Sequence, residues 1–381
     1  MNNDGNVLYL LSFLPTYVYG EVNELLKRGV KVKVLMLGNS PRSLMWEKIS
    51  GLNEESESFV NNKIIIQHII DTRELKGIED YKKVAETLSQ LFVNETISHI
   101  HAHFAQKEAQ IGLQLSKILG TNFSLTTHAK DIFVPDSISE LEYLLNESPL
   151  IFTISEFNKQ YLGRYISDED KHKIIVTYLG IDLNSLPKQN SINRDCFSIY
   201  CIASGLAEKK GVIYLIKACE ILKQNSFSFK CSIIGSDPEG KILYQLKSEV
   251  VKAGLETVVE LPGVVNSKEA LKGIAGSDVF VLPCVKAENG DMDGIPVSLI
   301  EAMGTGVPVI STEVSGIPEL IENYKNGVLV KQKSPSEIAE AIISICNDQE
   351  SSKNLGIAAR DAVRNKFSLK KYVDSLTNCW A

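Results

Sequence analysis

The residues best suited to chemistry in this sequence stand together in ENGDMDGIPVSLIEAMGTGVPVIST, between Glu288 and Thr312. Asp293 and Glu301 lie on either side of a predicted helix start at Pro296. Proline suits the first helical turn because its missing N–H would have no partner there. The free N–H groups and aligned peptide dipoles of a helix start attract anions, and a diphosphate is a common occupant. The stretch therefore predicts an anion site flanked by two acids.

The N–H groups expected to face this site are those of Val297, Ser298 and Leu299. Gly294 would let the backbone approach a ligand closely. Carboxylates repel phosphate, so the two acids fit better as acceptors of neutral hydroxyl groups, as on a ribose and a sugar on either side of the phosphates. In the plainer alternative, both acids merely complement the helix dipole and stabilise the fold by roughly 0.3 to 1 kcal/mol.

The elements that must position this stretch are strands and helices in alternation. Runs rich in Val, Ile and Leu recur with helical patterns between them, as in NVLYLLSF, EVNELLKRG and VKVKVLML early in the chain and FSIYCIAS and GVIYLIKACEILKQ later. Such alternation is typical of right-handed βαβ units in a parallel sheet covered on both faces. We therefore predict an α/β fold of two Rossmann-like, doubly wound domains facing a central cleft, with ligands beyond the carboxyl ends of the strands.

The domain boundaries follow from a lapse in this alternation. The polar stretch IDLNSLPKQNSINRD, from Ile181 to Asp195, has no apolar face and predicts a linker. We place the first domain at 1–187 and the second at 188–366, the latter ending in helices at about 334–348 and 351–366. The last segment, 367–381, contains the amphipathic LKKYVDSLTNCWA, which taken alone could be a partner or membrane helix.

The composition limits the function classes. With 44% hydrophobic and 23% charged residues, the chain is that of a globular protein. A net charge of -7 argues against a nucleic-acid partner or a strongly anionic membrane, both of which call for clustered Lys and Arg. The N-terminal apolar run is too short for a signal peptide, and no window approaches the roughly 20 apolar residues of a membrane span. Seven Cys without a CxxC pair indicate reduced core residues in a cytoplasmic protein.

The opening stretch resembles the signature of the family 4 retaining glycosyltransferases, which have the GT-B fold. The likeness begins with the acid Asp293, which seven residues separate from Glu301. Ala-Met, a turn of small residues and VPVIST follow. Further segments resemble, in order, those of exopolysaccharide-type members: HIHAHFA, TTHAKDIF, TISEFNKQYL, YLGIDL and AEKKGVIYLIKAC. Several spaced matches over nearly the whole chain are far more specific than one pair of acids.

The resemblance implies a hexosyltransferase that retains anomeric configuration. Its donor would be a nucleotide-sugar, first a UDP-hexose such as UDP-glucose and second GDP-mannose, and its acceptor a saccharide or lipid-linked saccharide in polysaccharide biosynthesis. The first domain would present the acceptor, the second would bind the donor, and the C-terminal segment would cross back to the first domain. No cofactor or metal is expected beyond the donor itself. The protein would be cytoplasmic, with possible transient contact with the inner face of the membrane.

The resemblance also assigns roles to residues. Glu301 would bind the ribose, and Asp293 the hydroxyls of the transferred sugar. Lys210 would contact the donor diphosphate and, with the helix N-terminus, stabilise the charge of the leaving phosphate. His128, at a predicted strand end, would lie near the transferred sugar. The amides between the two acids, which would bind the phosphates and the sugar, belong to Gly294, Ile295, Pro296, Val297, Ser298 and Leu299.

The sequence departs from the family pattern at Asp293, where the family more often has Glu, and in two further places. Gly205 stands where the family often has an Arg on the diphosphate, which implies either weaker donor binding or a substitute cation such as Lys209 or Lys286. The first βα loop, FLPTYVYGE, lacks paired glycines, so Gly20 would serve alone at the donor phosphates and Glu21 would begin the helix. Gly205 leaves open a non-catalytic scaffold that binds nucleotide-sugar. A GT-B epimerase fits the acid pair less well, and a nicotinamide dehydrogenase lacks GxGxxG after NVLYLLSF.

Three histidines, His99, His101 and His103, alternate along a predicted strand and therefore share one face of it. Three imidazoles on one face could suggest a zinc site. Strand neighbours two apart are poorly placed for tetrahedral closure, however, so we expect these side chains to pack under or along the cleft, with His103 closest to its mouth.

Overall fold

The computed structural model describes residues 6–11, 15–37, 65–68, 75–189, 196–237 and 240–380, with the backbone alone for 65–68. Contacts divide the chain into two units. The first domain consists of residues 1–180 and 369–381, and the second of residues 181–368.

The first domain is built on a parallel sheet of seven strands in the order β3-β2-β1-β4-β5-β6-β7. The strand order reverses between β1 and β4, where open α/β sheets commonly place their ligands. The strands are β1 Asn6–Leu11, β2 Val32–Leu37, β3 Ile65–His68, β4 Ile97–His103, β5 Asn122–Thr127, β6 Ile151–Thr153 and β7 Ile174–Val176. The central strands are buried almost throughout, as expected for a sheet covered on both faces.

Helices connect these strands and cover the sheet. In the described part of the domain they are α1 Thr16–Lys27, α2 Ile78–Ser89, α3 Lys107–Leu119, α4 Lys130–Phe133, α5 Ile138–Glu147 and α6 Glu156–Leu162. Helix α3 shows how closely they pack, because a Cβ added to Gly112 would lie 3.2 Å from the ring of Phe123 on β5.

The second domain repeats the architecture with a parallel sheet of six strands in the order β10-β9-β8-β11-β12-β13. The strands are β8 Phe197–Ile202, β9 Phe229–Ile234, β10 Val259–Gly263, β11 Val279–Val281, β12 Val309–Thr312 and β13 Val328–Val330. The helices described there are α7 Val212–Gln224, α8 Lys241–Lys252, α9 Ser267–Ala275, α10 Val297–Thr305, α11 Ile317–Leu320, α12 Pro335–Asn347 and α13 Gln349–Lys366. The predicted doubly wound halves are confirmed in both domains.

The C-terminal segment forms helix α14, Leu369–Trp380, and belongs to the first domain. Its apolar stripe is buried, including Tyr372 and Trp380. On the rim of this contact Arg28 of α1 forms an ion pair with Asp374 at 2.6 Å. Within the described residues, no helix is long and apolar enough to cross a membrane.

The predicted linker is only partly a linker. Ile181 N–H donates to the carbonyl of Phe367 at 3.0 Å, and Leu186 is buried. Leu186 packs so closely on α10 that a Cβ added to Gly304 would lie 2.5 Å from its Cδ1. The second domain therefore begins at residue 181 rather than 188, because the few leucines and isoleucines of this polar stretch face α10. Residues 190–195 of the predicted linker lie outside the described residues.

Two helix-capping glycines of the second domain predict different responses to an added methyl group. Gly211 precedes α7 and Gly240 precedes α8, and both have positive φ, at 64° and 71°. A Cβ on Gly211 would lie 1.9 Å from the carbonyl oxygen of Pro283, whereas no described residue lies within 4 Å of one on Gly240. Gly240→Ala should cost about 1 to 2 kcal/mol of unfolding free energy from backbone strain alone. Gly211→Ala should cost about 1 to 3 kcal/mol more, because the backbone must move.

Urea denaturation of both variants and the wild type measures this difference. Equal losses of stability in the two variants would contradict the close packing of α7 on the loop after β11.

Candidate functional site

Four charged side chains meet in the second domain, beyond the carboxyl ends of β8 and β11. Lys210 closes a short 3-10 turn, Glu208–Lys210, after β8. Its Nζ lies 2.6 Å from Asp293 Oδ2, in the loop between β11 and α10. Lys209 Nζ lies 3.0 Å from Asp291 Oδ1 and 3.5 Å from Asp293 Oδ1. Because β8 and β11 are neighbours in the sheet, their following loops reach the same place.

The buried pair Lys210–Asp293 is held in its charged form. Burial by itself raises the pKa of Asp293, but Lys210 and Lys209 outweigh that effect and the net pKa is lowered. Burial likewise lowers the pKa of Lys210, and Asp293 more than compensates, so its net pKa is raised. Cys284 Sγ, 3.6 Å from Asp293 Oδ2, adds a weak donor to the carboxylate. The formal charges of two lysines and two aspartates thus balance within one cluster.

Helix α10 begins beside this cluster. Pro296 is the residue before the helix and offers no side-chain cap. Within the described residues, the N–H groups of Val297 and Ser298 have no acceptor, so they remain available to a ligand. The predicted free N–H of Leu299 is wrong, because it donates to the carbonyl of Pro296 at 3.0 Å in a tight first turn. Ser298 Oγ donates to the carbonyl of Ile202 at 3.3 Å, which ties the helix start to the end of β8.

The remaining predicted residues of this stretch differ in exposure. Gly294 and Ile295 are buried, so the chain enters α10 from inside the domain. Glu301 lies farther along α10 and is partly exposed. Burial of its carboxyl raises the pKa to about 7, and no described cation opposes that effect. Glu301 is therefore the acid of this site whose charge changes near neutral pH.

The departure at Gly205 leaves open space in the structure. Gly205 is exposed with φ of 77°, and nothing lies within 4 Å of a Cβ added there. Of the two candidate substitute cations, Lys209 lies nearer the site, since its Nζ contacts the Asp293 carboxylate. Lys286 is exposed on the following loop, and its backbone N–H donates to Gln332 Oε1 at 2.9 Å.

His128 and Gly20 belong to the first domain. His128 directly follows β5 and is buried, and its Nε2 lies 3.0 Å from His103 Nδ1. Burial, and next the proximity of His103, lowers the pKa of His128 well below the usual value for histidine. Asp131 supports this turn, because its carboxylate accepts the backbone N–H groups of Ala105, His128 and Ala129. His128 therefore carries a neutral imidazole and is held in place directly after β5 in the first domain.

Gly20 does not lie in a phosphate-binding loop. Helix α1 begins at Thr16, five residues before the predicted start at Glu21, so Gly20 stands inside the helix. A Cβ added to it would lie 3.9 Å from Leu369 on the C-terminal helix. The prediction that Gly20 lies in the loop is wrong because α1 begins before it, and residues 12–14 of the loop lie outside the described residues.

The three alternating histidines share one face of β4, as predicted. His99 Nε2 and His101 Nδ1 both contact the hydroxyl of Ser124 on β5, at 2.6 and 2.7 Å. The indole N–H of Trp380 donates to the same hydroxyl at 3.0 Å. His101 Nε2 lies 3.1 Å from Thr126 Oγ1. Burial lowers the pKa of His99 to about 3, and burial, followed by the neighbouring imidazoles, lowers the pKa of His101 well below its usual value.

Glu21, His101 and His103 are the residues, among those described, that could hold a metal ion, since their ligand atoms lie within 4.8 Å of one another. Hydroxyl groups already occupy both nitrogens of His101. The carboxylate of Glu21 accepts the hydroxyls of Tyr9 and Tyr372. Hydrogen bonds therefore account for His101 and Glu21, whereas His103 Nε2 has no hydrogen-bond partner among the described residues.

Sequence reasoning missed Glu21 and the pairing of Lys209 with Asp291. Glu21 is fully buried, although glutamate in a predicted amphipathic helix normally faces solvent. Its partner Tyr372 is 351 residues away. One signal of this burial was available in the sequence. The helical period places Glu21 on the apolar face of α1, together with Val18, Val22 and Leu25.

Comparison with known proteins decides the family. The family model described as Glycosyl transferases group 1 matches residues 186–362. The chain is 30% identical over 294 residues to the colanic acid biosynthesis glycosyltransferase WcaL of Salmonella typhimurium, which is 75% of this chain and 70% of that protein. The chain belongs to the group 1 glycosyltransferases. The chain is also 36% identical over 198 residues to the amylovoran biosynthesis glycosyltransferase AmsK of Erwinia amylovora. This alignment covers 51% of this chain and 47% of AmsK.

A solved structure shows the fold of this group 1 glycosyltransferase. Anabaena Alr3699/HepE in complex with UDP matches with a TM-score of 0.76 and 16% identity, covering 99% of each chain. At that identity the likeness concerns the fold alone, and the predicted GT-B fold is confirmed.

The pKa of Glu301 predicts how stability depends on pH. Its folded-state pKa of about 7 lies above the ordinary value of 4.5, so the folded protein binds this proton more tightly than the unfolded chain. The resulting stabilisation is present below the ordinary pKa and is lost as pH rises through 7. Glu301→Gln, which cannot ionise, should therefore gain stability over wild type, and the gain should be about 1 to 3 kcal/mol larger at pH 8 than at pH 5.

Thermal or urea unfolding at the two pH values measures the gain. Glu340→Gln, at an exposed position of α12, is the matched control. A gain for Glu301→Gln that is the same at both pH values would show that Glu301 is not held in the buried environment described above.

Proposed function

We propose that this protein is a retaining glycosyltransferase that transfers a hexose from a UDP-hexose to a saccharide or lipid-linked saccharide in exopolysaccharide biosynthesis. Membership of the group 1 glycosyltransferases supports glycosyl transfer. The observation that carries the donor class is the cluster in the second domain, where two lysines meet Asp293 beside the open N-terminus of α10. Cations and free N–H groups together are the chemistry that binds a diphosphate.

The diphosphate of the donor would bind both lysines in addition to their aspartate partners. Lys209 and Lys210 form ion pairs with Asp291 and Asp293, at 3.0 and 2.6 Å. A bound diphosphate would give both ammonium groups a second anion, and the N–H groups of Val297 and Ser298 would complete its shell. As the bond to the sugar breaks, negative charge grows on the departing phosphate, and these fixed positive groups would stabilise it. In this proposal no metal ion is needed for that step.

Asp293 would then act on the sugar rather than on the phosphates. Its carboxylate keeps lone pairs beyond those used by Lys210 and Lys209, so it can accept hydroxyl groups of a hexose. Glu301 would accept the ribose hydroxyls in its ionised form. His128, in the first domain, would orient the transferred sugar, and the proton of the acceptor hydroxyl would pass to the departing phosphate as the new glycosidic bond forms on the same face.

The choice of UDP and of the acceptor class rests on the relatives. Alr3699/HepE, which shares the fold, has been solved with UDP and with UDP-glucose. WcaL and AmsK carry names that place them in the biosynthesis of colanic acid and amylovoran. We therefore assign a UDP-hexose as donor and a growing saccharide as acceptor.

Two aspartates of the cluster provide a matched test of this function. Asp293→Asn should lower the release of UDP from UDP-glucose by roughly 100-fold or more, because it removes contacts that tighten as the bond breaks. Asp291→Asn removes only the charge that Asp291 pairs with Lys209, and it should lower the release of UDP by less than about 10-fold. The measurement is the initial rate of UDP release, with and without saccharide acceptors, for folded wild type and both variants.

Full turnover by Asp293→Asn would exclude the role given to that carboxylate. A wild-type protein that binds UDP-glucose but neither transfers nor slowly hydrolyses it would instead be a nucleotide-sugar-binding scaffold, the alternative that Gly205 raises.

A further inference from the structure

Three aromatic side chains stand together at the carboxyl edge of the first sheet. Tyr17 is the second residue of α1, which follows β1, whereas Phe104 directly follows β4 and His128 directly follows β5. These strands are neighbours in the order β1-β4-β5, and the strand order reverses between β1 and β4. Open α/β sheets bind their ligands at such a reversal, beyond the carboxyl ends of the strands. The three rings therefore lie where the fold favours a ligand.

The rings contact one another, but two of them are not enclosed. The ring centre of Phe104 lies 4.4 Å from that of His128, with the two planes tilted by 35°. The ring centre of Tyr17 lies 5.3 Å from that of His128, with a tilt of 44°. His128 is buried, whereas Tyr17 and Phe104 are half-buried. Part of each of these two rings is therefore accessible to another molecule.

The backbone of Phe104 is strained, with φ of 67°. A positive φ is an outlier for a bulky residue and persists only where the surrounding structure imposes it. Three hydrogen bonds do so. The N–H of Phe104 donates to the carbonyl of Thr126 at 2.8 Å, its carbonyl accepts the N–H of Gln106 at 2.8 Å, and the N–H of Ala105 donates to Asp131 Oδ2 at 2.9 Å.

This strain points to a use for the ring of Phe104. Glycine would adopt the same φ without strain. Strained residues cluster at ligand sites, where a side chain is held in the position that binding requires. A half-buried phenylalanine at this place is therefore better explained by what its ring binds than by the packing of the core.

The chemistry of the three rings fits a sugar. The face of an aromatic ring is negative, so it attracts positively polarised hydrogen atoms. A pyranose offers a flat face of C–H groups, and its hydroxyl groups lie around the rim. Burial, and next the proximity of His103, lowers the pKa of His128 well below its usual value, so its imidazole is neutral. A neutral imidazole can form a hydrogen bond with a sugar hydroxyl without bringing a charge to the site.

We infer that the half-buried rings of Tyr17 and Phe104 form, with the imidazole of His128, a stacking site in the first domain for one pyranose ring. Tyr17 and Phe104 select sugars that have a flat C–H face, and His128 contacts a hydroxyl at the rim. The transferred hexose and a sugar of the acceptor share this chemistry, and the experiments below separate them. The role in transfer rests on the proposed function, whereas the binding of a free sugar does not.

Saturation-transfer NMR of the full-length protein tests the site without any turnover. The probes are the methyl α-glycosides of glucose, galactose and mannose, with sorbitol as a polyol that has hydroxyl groups but no ring. We expect saturation of the ring C–H protons of at least one glycoside and none of sorbitol. Absence of saturation for all three glycosides, or equal saturation of sorbitol, overturns the inference even if no variant folds.

Replacing the rings separates stacking from other contacts. Tyr17→Ala and Phe104→Ala should each weaken binding of the glycoside by about 5-fold or more, because each removes one aromatic face. Tyr17→Phe keeps the ring and should keep the binding. Tyr143→Ala is the matched control, since Tyr143 is a half-buried tyrosine of the same domain that contacts Gln114 and Lys117 on α3. Undiminished binding in folded Tyr17→Ala and Phe104→Ala, or an equal loss in Tyr143→Ala, would exclude the stacking site.

The strain at Phe104 has its own test. Phe104→Gly should melt at a higher temperature than Phe104→Ala, because glycine adopts a positive φ freely, although both variants lose the ring. A Phe104→Ala that melts at the same temperature as Phe104→Gly would show that the backbone is not strained there and would remove the reason for assigning the ring to a ligand.

The release of UDP from UDP-glucose by the wild type identifies the source of the sugar. A bound glycoside in the place of the transferred hexose slows this release, whereas one in the place of the acceptor accelerates it. A glycoside that binds without changing the rate in either direction lies outside the site and contradicts the inference. Glycoside binding by a wild type that releases no UDP would count against the proposed function alone, and UDP release without glycoside binding would count against the stacking site alone.

Discussion

The burial of charge at the carboxyl ends of two parallel sheets is the constraint on which this structure depends. A buried ion is tolerated only where opposite charge or hydrogen bonds replace the water that it loses. In the second domain Lys210 and Asp293 meet that demand for each other at 2.6 Å, and in doing so they join the turn after β8 to the loop that leads into α10. In the first domain the buried carboxyl group of Glu21 accepts the hydroxyls of two tyrosines, one of them contributed by the C-terminal helix.

Much of the fold was predictable because it depends on local patterns. The alternation of apolar strands with helices predicted two parallel sheets, and the amphipathic period of LKKYVDSLTNCWA predicted the final helix. The acids and the proline around α10 predicted an anion site, since helix starts follow from local chemistry. The alternation of residues along β4 places its three histidines on one face of the strand.

The parts of the structure that the sequence does not predict are the ends of helices and the contacts between distant residues. The N–H group of Leu299, predicted to be free, is used by a tight first turn, and one residue of helix geometry cannot be read from sequence. Gly20 lies inside α1, which begins at Thr16 rather than at the predicted Glu21. The contacts of Glu21 with Tyr372 and of Lys209 with Asp291 join residues 351 and 82 positions apart, and only tertiary packing decides such contacts.

The central claim is that the lysine–aspartate cluster and Glu301 form the binding site for a nucleoside diphosphate. Calorimetric titration of the full-length protein with UDP, GDP, UDP-glucose and GDP-mannose tests it most directly, with Glu301→Ala and the exposed Glu340→Ala as paired variants. The account predicts that UDP and UDP-glucose bind in preference to the guanine nucleotides, and that Glu301→Ala alone weakens them by about 10-fold or more. Binding by none of the four, or binding that Glu301→Ala leaves unchanged, would contradict it.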